Sequence, residues 1–460
     1  MPAPDNPPAE AQFSVVSAAA WPMAVALMVR LAAWLVQPAA RFASDEAGYF
    51  RAGTALRVNG EQDLFWPPLT GWLVALSQRV LGTASPPVIR LVWIALDLGC
   101  VLLVAILAKR VAPLVSGANA GKERRFVMAA TLAYALYLPA ISHAQFTTSE
   151  TPALLLTLTA LAVVTTPGAG PIAFGVAGLT VGLLTLTRLS LAPLLGLLPA
   201  AATSKVSRST MLRAAVFVTA GGVVLGAWAY RNRVIAGDTT LARNSAYNLY
   251  IGNRDFYAED LDLFSPMATS EQVAFRREFF FGAGPAYPAL SPSELQREAL
   301  LWIAAHPLTF AKRTLGRLAR VFVPKTDVLE LAGGEAAAGI FSPLSLLLLG
   351  VANVQWALAL FGGIAGLVWL WRERPDLGRP FVATIAGTVL LCLIAISKPR
   401  YSFVFDPLLL LGATIFVSAP RRTIEELDRA DARWVSLVYV FLIWGWVAWG
   451  IFAVSSRLRM

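Results

Sequence analysis

A run of about 17 to 25 apolar residues is long enough to cross the hydrocarbon core of a bilayer as one helix, and this chain repeats such runs from end to end. They occupy residues 18–38, 87–108, 126–142, 151–164, 171–187, 189–202 and a stretch ending at Tyr230, then a stretch ending at Trp371 and residues 381–396, 402–418 and 434–454. Residues 69–81 are apolar but short and hold Gln78 and Arg79, which predicts an interfacial or re-entrant helix. With 57% hydrophobic and only 14% charged residues, a water-soluble fold would expose too much apolar surface. The pattern predicts an all-α polytopic membrane protein with about eleven crossings.

Charge gives the orientation. The net charge of +10 is not a nucleic-acid signal, because the basic residues gather in short loops between apolar runs. With the N-terminus inside, the basic loops 109–125, 205–213, 372–379 and 421–433 all fall on the cytoplasmic side. The opposite face then receives the first loop (39–86), residues 142–150, Arg188, residues 398–401 and the polar segment 231–340. The chain thus divides into a proline-rich disordered tail (1–17), an N-terminal membrane region (18–230), an outer-face soluble and interfacial segment (231–340) and C-terminal membrane helices (341–460). The tail lacks lysine and arginine, unlike the basic leader of a signal peptide. The SPSE start at Ser291 and the helical periodicity after it predict amphipathic helices lying along the membrane surface.

Every chemically unusual residue emerges on that outer face. Asp45 and Glu46 stand side by side after the first run, followed by Tyr49 and by the rigid Trp66-Pro67-Pro68 segment. Glu150 opens a later helix, with His143 shortly before it. Arg188, Arg231, Arg243, Lys398 and Arg400 lie on the same face, Arg400 followed by Tyr401. Carboxylates there could deprotonate or orient a hydroxyl, and cations could neutralise a phosphate leaving group. Singly, each has a plainer role: Glu150 as a helix N-terminal acid beside Ser149, Arg188 snorkelling to the interface, Lys398 and Arg400 as headgroup anchors. Their shared face is what favours chemistry. Arg30, within the first run, instead fits a transporter, which places charges near the bilayer midplane. Two cysteines, both within apolar runs, and two histidines offer neither a disulfide nor a metal cluster.

Three segments resemble the integral-membrane glycosyltransferases of the GT-C type, in particular the protein O-mannosyltransferases and the aminoarabinose-lipid A transferases. They are Ser44-Asp45-Glu46-Ala47-Gly48-Tyr49 with Phe65-Trp66-Pro67-Pro68-Leu69, Thr148-Ser149-Glu150-Thr151-Pro152, and the passage from Arg231-Asn232 to Asn248-Leu249-Tyr250-Ile251-Gly252-Asn253. Lys398-Pro399-Arg400-Tyr401 is a fourth, weaker match. The resemblance implies transfer of a sugar from a polyprenyl-phosphate donor to a lipid, glycan or protein acceptor, usually with inversion, on the periplasmic face of a bacterial inner membrane. It implies Asp45 as general base, Glu46 and Glu150 as further acids, and Arg188, Arg231, Arg243, Lys398, Arg400 and Tyr401 as donor-phosphate ligands. Tyr49, Trp66, Pro67, Pro68, His143, Tyr247 and Asn253 would line the substrate cavity. No cofactor is firmly implied; branches of that group differ in metal use, and the sequence indicates no metal. Trp66 stands where some relatives carry a basic residue before the Pro-Pro-Leu, and a large C-terminal soluble domain is not evident.

Overall fold

Inside lipid every backbone N–H and C=O must find its partner within the segment or against neighbouring protein, so an apolar run folds as a helix. In the computed structural model the regular elements are α-helices and short 3-10 turns, with no strand among the described residues. The structure describes residues 13–37, 42, 45–117, 119–203, 207–253, 291–332 and 342–429, and single positions within 435–446. Most of the expected tail, residues 254–290 and 333–341, and most of the last expected crossing lie outside them.

Among the described residues four helices are long and apolar enough to cross a membrane: Val15–Val36, Pro86–Ser116, Arg208–Ala236 and Pro343–Glu373. Their outward faces carry Trp21, Met28, Leu35, Val223, Val234, Leu347 and Leu358, all more than half exposed. That much apolar surface is at home in lipid. Glu150–Val164, Pro171–Thr187 and Asp406–Ser418 are shorter apolar helices. By length and composition, then, four helices meet the criterion, against about eleven runs read from the sequence.

Several of those runs are broken. The one at 126–142 ends its helix at Ala135 and resumes as Leu138–His143. The one at 189–202 starts as a 3-10 turn before the helix Leu194–Ala202. The one at 381–396 stops being helical after Leu390. Non-helical backbone at membrane depth is tolerated where it is buried in protein or lines a cavity, and side chains hold the freed carbonyls here. Gln355 donates to Leu136 O (2.9 Å), while Arg317 donates to Leu393 O (3.0 Å) and Asn253 to Ile394 O (2.8 Å).

Two kinds of contact bind the helices together. Glycines let backbones approach closely. A Cβ added to Gly366 in Pro343–Glu373 would lie 1.9 Å from the Gly412 carbonyl oxygen in Asp406–Ser418, and one on Gly178 2.1 Å from that of Phe217. Buried ion pairs are the second kind. Arg30 pairs with Asp97, which also accepts from the Tyr134 hydroxyl at 2.6 Å, all three side chains being fully buried. Lys325 pairs with Asp406 at 2.8 Å, Tyr137 donates to the same carboxylate, and the ammonium sits 4.2 Å from the centre of the Trp356 ring.

The more polar elements start and end on local signals. Glu46–Asn59 packs on the short helix Pro68–Val80. The SPSE motif forms a capping box, with Glu294 N–H donating to Ser291 Oγ and Ser291 N–H to Glu294 Oε2. Pro307–Phe322 follows, strongly amphipathic, with Leu308 and Leu315 exposed.

Gly366→Ala should lower stability by about 1–3 kcal/mol through overpacking at the Gly412 contact. Gly222→Ala, where an added Cβ meets nothing within 4 Å, should leave stability unchanged or slightly raised. Thermal unfolding of both variants in detergent tests the contrast.

Candidate functional site

The segment around Asp45 is shaped at its start. Asp45 caps the helix Glu46–Asn59, and its main-chain carbonyl accepts from Gly48 and Tyr49 N–H. Trp66 lies against Gly48 so closely that a Cβ there would sit 2.4 Å from the indole. Leu64 and Phe65 carbonyls then accept from the N–H groups of Arg243 and Asn244, both at 2.9 Å, which ties the loop to the helix Arg243–Gly252.

Between these elements lies a cavity of about 390 Å³. Its charged part is an alternating chain of acids and bases drawn from four separate segments. The Arg400 guanidinium donates to Asp45 Oδ2 at 2.5 Å and lies 3.4 Å from Glu150 Oε1. Arg188 donates to the same Glu150 oxygen at 2.8 Å, and its guanidinium sits 4.7 Å from the centre of the Tyr401 ring. Lys398 completes the cationic wall. Glu150 is 4% exposed and Asp45 39%, so Asp45 is the carboxylate open to a ligand.

Burial alone would lower the arginines, but the adjoining carboxylates (Glu150 beside Arg188, Asp45 and Glu150 beside Arg400) hold both guanidinium groups above their usual range. Burial pushes the phenols of Tyr49 and Tyr401 up, Tyr49 further still through Asp45. Both phenols therefore stay protonated at neutral pH and are available as donors.

Of the sequence-predicted residues, the cavity gathers Asp45, Glu150, Arg188, Lys398, Arg400, Tyr401, Tyr49, Trp66, Pro67 and Tyr247. It does not gather the others. Glu46 is wholly buried and turned away, receiving Arg90 in a bidentate pair (2.9 and 2.8 Å) and the backbone and hydroxyl of Thr147. Consecutive helical positions point about 100° apart, so the neighbouring acids could not both face the cavity. His143 pairs with Asp327 at 2.7 Å and packs on Phe403. Although burial opposes it, that contact, together with Lys325, holds Asp327 below the usual carboxylate range. Arg231 lies over the Trp228 ring and Arg243 pairs with Asp238 at 3.1 Å. Pro68 is buried at the start of its helix. Asn253 is buried behind the wall, donating to Ile394 O and accepting from Arg317 at 3.2 Å.

The cavity also contains polar residues that were not expected in the site, among them Ser149, Asn244, Ser245, Asn248 and Gln296. Asn244 and Asn248 stand four apart and so share a helix face, a signal visible in RNSAYNLY. Arg90, Asp97, Asp327 and Asp406, the partners of the buried charges, were missed as well. Among the described residues no three His, Cys, Asp or Glu side chains cluster as a metal site would require.

No protein-family model matches this chain, and no curated protein matches it. Among solved structures it is similar to the archaeal oligosaccharyltransferase AglB from Archaeoglobus fulgidus in complex with an inhibitory peptide and a dolichol-phosphate. The identity is 14% over 96% of this chain and 56% of that one, with a TM-score of 0.48. A structure of the Archaeoglobus fulgidus oligosaccharyltransferase tethered with an acceptor peptide is similar at 12% identity, over 94% of this chain and 55% of that one, TM-score 0.45. The chain spans about half the length of each. With TM-scores below 0.5, the likeness does not define the fold or the activity of this chain.

The buried Glu46–Arg90 pair is a folding element. Arg90→Ala should cost about 3–5 kcal/mol of stability by leaving a carboxylate unpaired in the interior. The double variant with Glu46→Ala should lose less than the sum of the single changes. A double-mutant cycle of thermal unfolding in detergent checks this, and additive losses would show the two residues to be independent.

Proposed function

We propose that this protein is an integral-membrane glycosyltransferase of the GT-C type, working at the outer face of a bacterial cell membrane. It would move a sugar from a polyprenyl-phosphate donor to a lipid, glycan or protein hydroxyl. One observation carries the reading: a partly exposed carboxylate, Asp45, shares a cavity with three cationic side chains, Arg188, Lys398 and Arg400. The sequence resemblance of the Asp45 and Glu150 segments points the same way.

Arg188, Lys398 and Arg400 together border the cavity, the kind of cationic wall that a phosphodiester would meet. Asp45 is held by Arg400 when no substrate is present, and an incoming phosphate competes for that guanidinium. Donor binding would thus release Asp45 to act as base.

In the reaction, Asp45 takes the proton of the acceptor hydroxyl as its oxygen bonds to the anomeric carbon. The bond from that carbon to the phosphate oxygen breaks, and the electron pair leaves with the polyprenyl phosphate. In-line attack inverts the anomeric configuration. Arg188, Arg400 and Lys398 stabilise the departing phosphate. Glu150 stays ionised and orients the two arginines rather than exchanging protons. Arg30, the residue most suited to the alternative of a transporter, is fully buried in its pair with Asp97 and stands apart from the residues lining the cavity.

Asp45→Asn should abolish transfer while donor affinity and folding are kept. Arg400→Ala should weaken donor binding by about 1.5–3 kcal/mol, the worth of a charge-assisted hydrogen bond. Purified protein in liposomes, given a panel of polyprenyl-phosphate sugars and membrane extracts, measures both. Transfer retained by Asp45→Asn would remove it as base, and unchanged donor dependence would remove Arg400 from the phosphate site.

A further inference from the structure

The cavity has a second end that the proposed chemistry does not use. It is uncharged. Asn244 and Asn248 project from one face of Arg243–Gly252, with Ser245 beside them and Gln296 contributed by Pro292–Ala305. The carboxamides of Asn244 and Asn248 have no hydrogen-bond partner among the described residues, although both border the cavity. An amide bordering a cavity without a protein partner is available to a ligand, since it both donates and accepts.

An aromatic ladder joins this end to the charged one. Tyr49, three residues into the helix that Asp45 caps, packs on Trp66 with ring centres 4.8 Å apart. Trp66 meets Phe65 edge-on at 5.1 Å, and Phe65 meets Tyr247 at 5.9 Å. Tyr247 adjoins Asn248 in the chain. A ligand spanning the two ends would therefore run along apolar ring surface with polar groups at either side.

We infer that Asn244 and Asn248, backed by the Phe65–Trp66–Tyr247 surface, form the subsite that reads the hydroxyls of the transferred sugar, and that this sugar is neutral. The inference rests on the transferase reading above. Two observations assign the subsite to the donor. The helix bearing the amides is fastened to the segment that leads into Lys398 and Arg400, because Asn253 donates to Ile394 O at 2.8 Å and Gly252 abuts Ala395 O. Amides and phosphate-binding cations are thus held in one frame, as a single sugar-phosphate headgroup needs. The volume of about 390 Å³ is also near the lower end of the range for small-ligand pockets, which suits one sugar ring better than a chain of them.

Neutrality follows from the charges. Asp45 and Glu150 are the acidic side chains bordering the cavity among the described residues, and both already engage arginines at the other end. Among the described residues, an ammonium on the sugar would find no further cavity carboxylate beside the amides, and the cavity's cations are those of the phosphate wall. Hydroxyls match carboxamides without a charge to desolvate.

The test compares three lipids on the full-length protein in nanodiscs: undecaprenyl phosphate, the same lipid carrying glucose, and the same lipid carrying an amino sugar. The wild type should bind the glucosyl lipid more tightly than the bare phosphate. Asn248→Ala and Asn244→Ala should each weaken glucosyl-lipid binding about tenfold, the loss of a well-formed hydrogen bond, and leave bare-phosphate binding unchanged. The retained bare-phosphate affinity also reports that each variant is folded. Asn248→Asp should shift preference toward the amino-sugar lipid. Equal losses on bare and glucosyl lipid, or no loss on either, would overturn the subsite while leaving the phosphate site intact. A wild type that binds the bare phosphate but prefers the amino sugar would overturn neutrality. Failure of the wild type to bind bare undecaprenyl phosphate would instead strike the transferase reading and the subsite with it.

Discussion

A charge taken into an apolar interior must meet its opposite, because the cost of leaving it alone exceeds almost anything else in the fold. The structure is arranged around that requirement. Arg30–Asp97 fixes the first crossing against the fourth helix in the chain. Arg90–Glu46 pins the start of the helix Glu46–Asn59, and Lys325–Asp406 joins the chain after Pro307–Phe322 to a late apolar helix. In the candidate site the pairing takes a different form. There, acids and bases alternate through Asp45, Arg400, Glu150 and Arg188, with Lys398 nearby, and the outermost carboxylate remains open to the cavity. The same force that makes the other pairs structural makes this one exchangeable, since a phosphate can replace a carboxylate on a guanidinium at little electrostatic cost.

Much of this could be read in the sequence, and the limit of the reading has a physical cause. Hydropathy marked the helices because lipid leaves a backbone few alternatives. The positive-inside pattern placed Asp45, Glu150, Arg188 and Arg400 on one face although more than 350 residues separate the first from the last. The structure brings those four together. Orientation about a helix axis was harder to read. Asp45 and Glu46 look equivalent in the chain, yet one caps the helix and faces the cavity while the other begins it and turns to Arg90. Nothing adjacent to Glu46 announces a partner 44 positions away.

Continuity was harder still. The sequence at 381–396 is as apolar as a crossing, but its helix stops at Leu390. The interruption is held by Arg317, from Pro307–Phe322, and Asn253, after Arg243–Gly252, which stabilise carbonyls that a helix would otherwise have paired internally. Tertiary hydrogen bonds of this sort leave no local trace in composition or periodicity.

That interruption also separates the residues that shape the cavity from those that touch what enters it. Leu391 to Ile396 supply part of the wall, yet their path is set from behind by the Arg317 guanidinium, the Asn253 carboxamide and the absence of a side chain at Gly252. A wall held by a few outlying side chains can be redrawn by changing them, with the charged chain of Asp45, Arg400, Glu150 and Arg188 left as it is. Ligand preference in this fold can therefore drift through positions no ligand contacts, and a comparison of related chains confined to cavity-lining residues would miss the substitutions that set it.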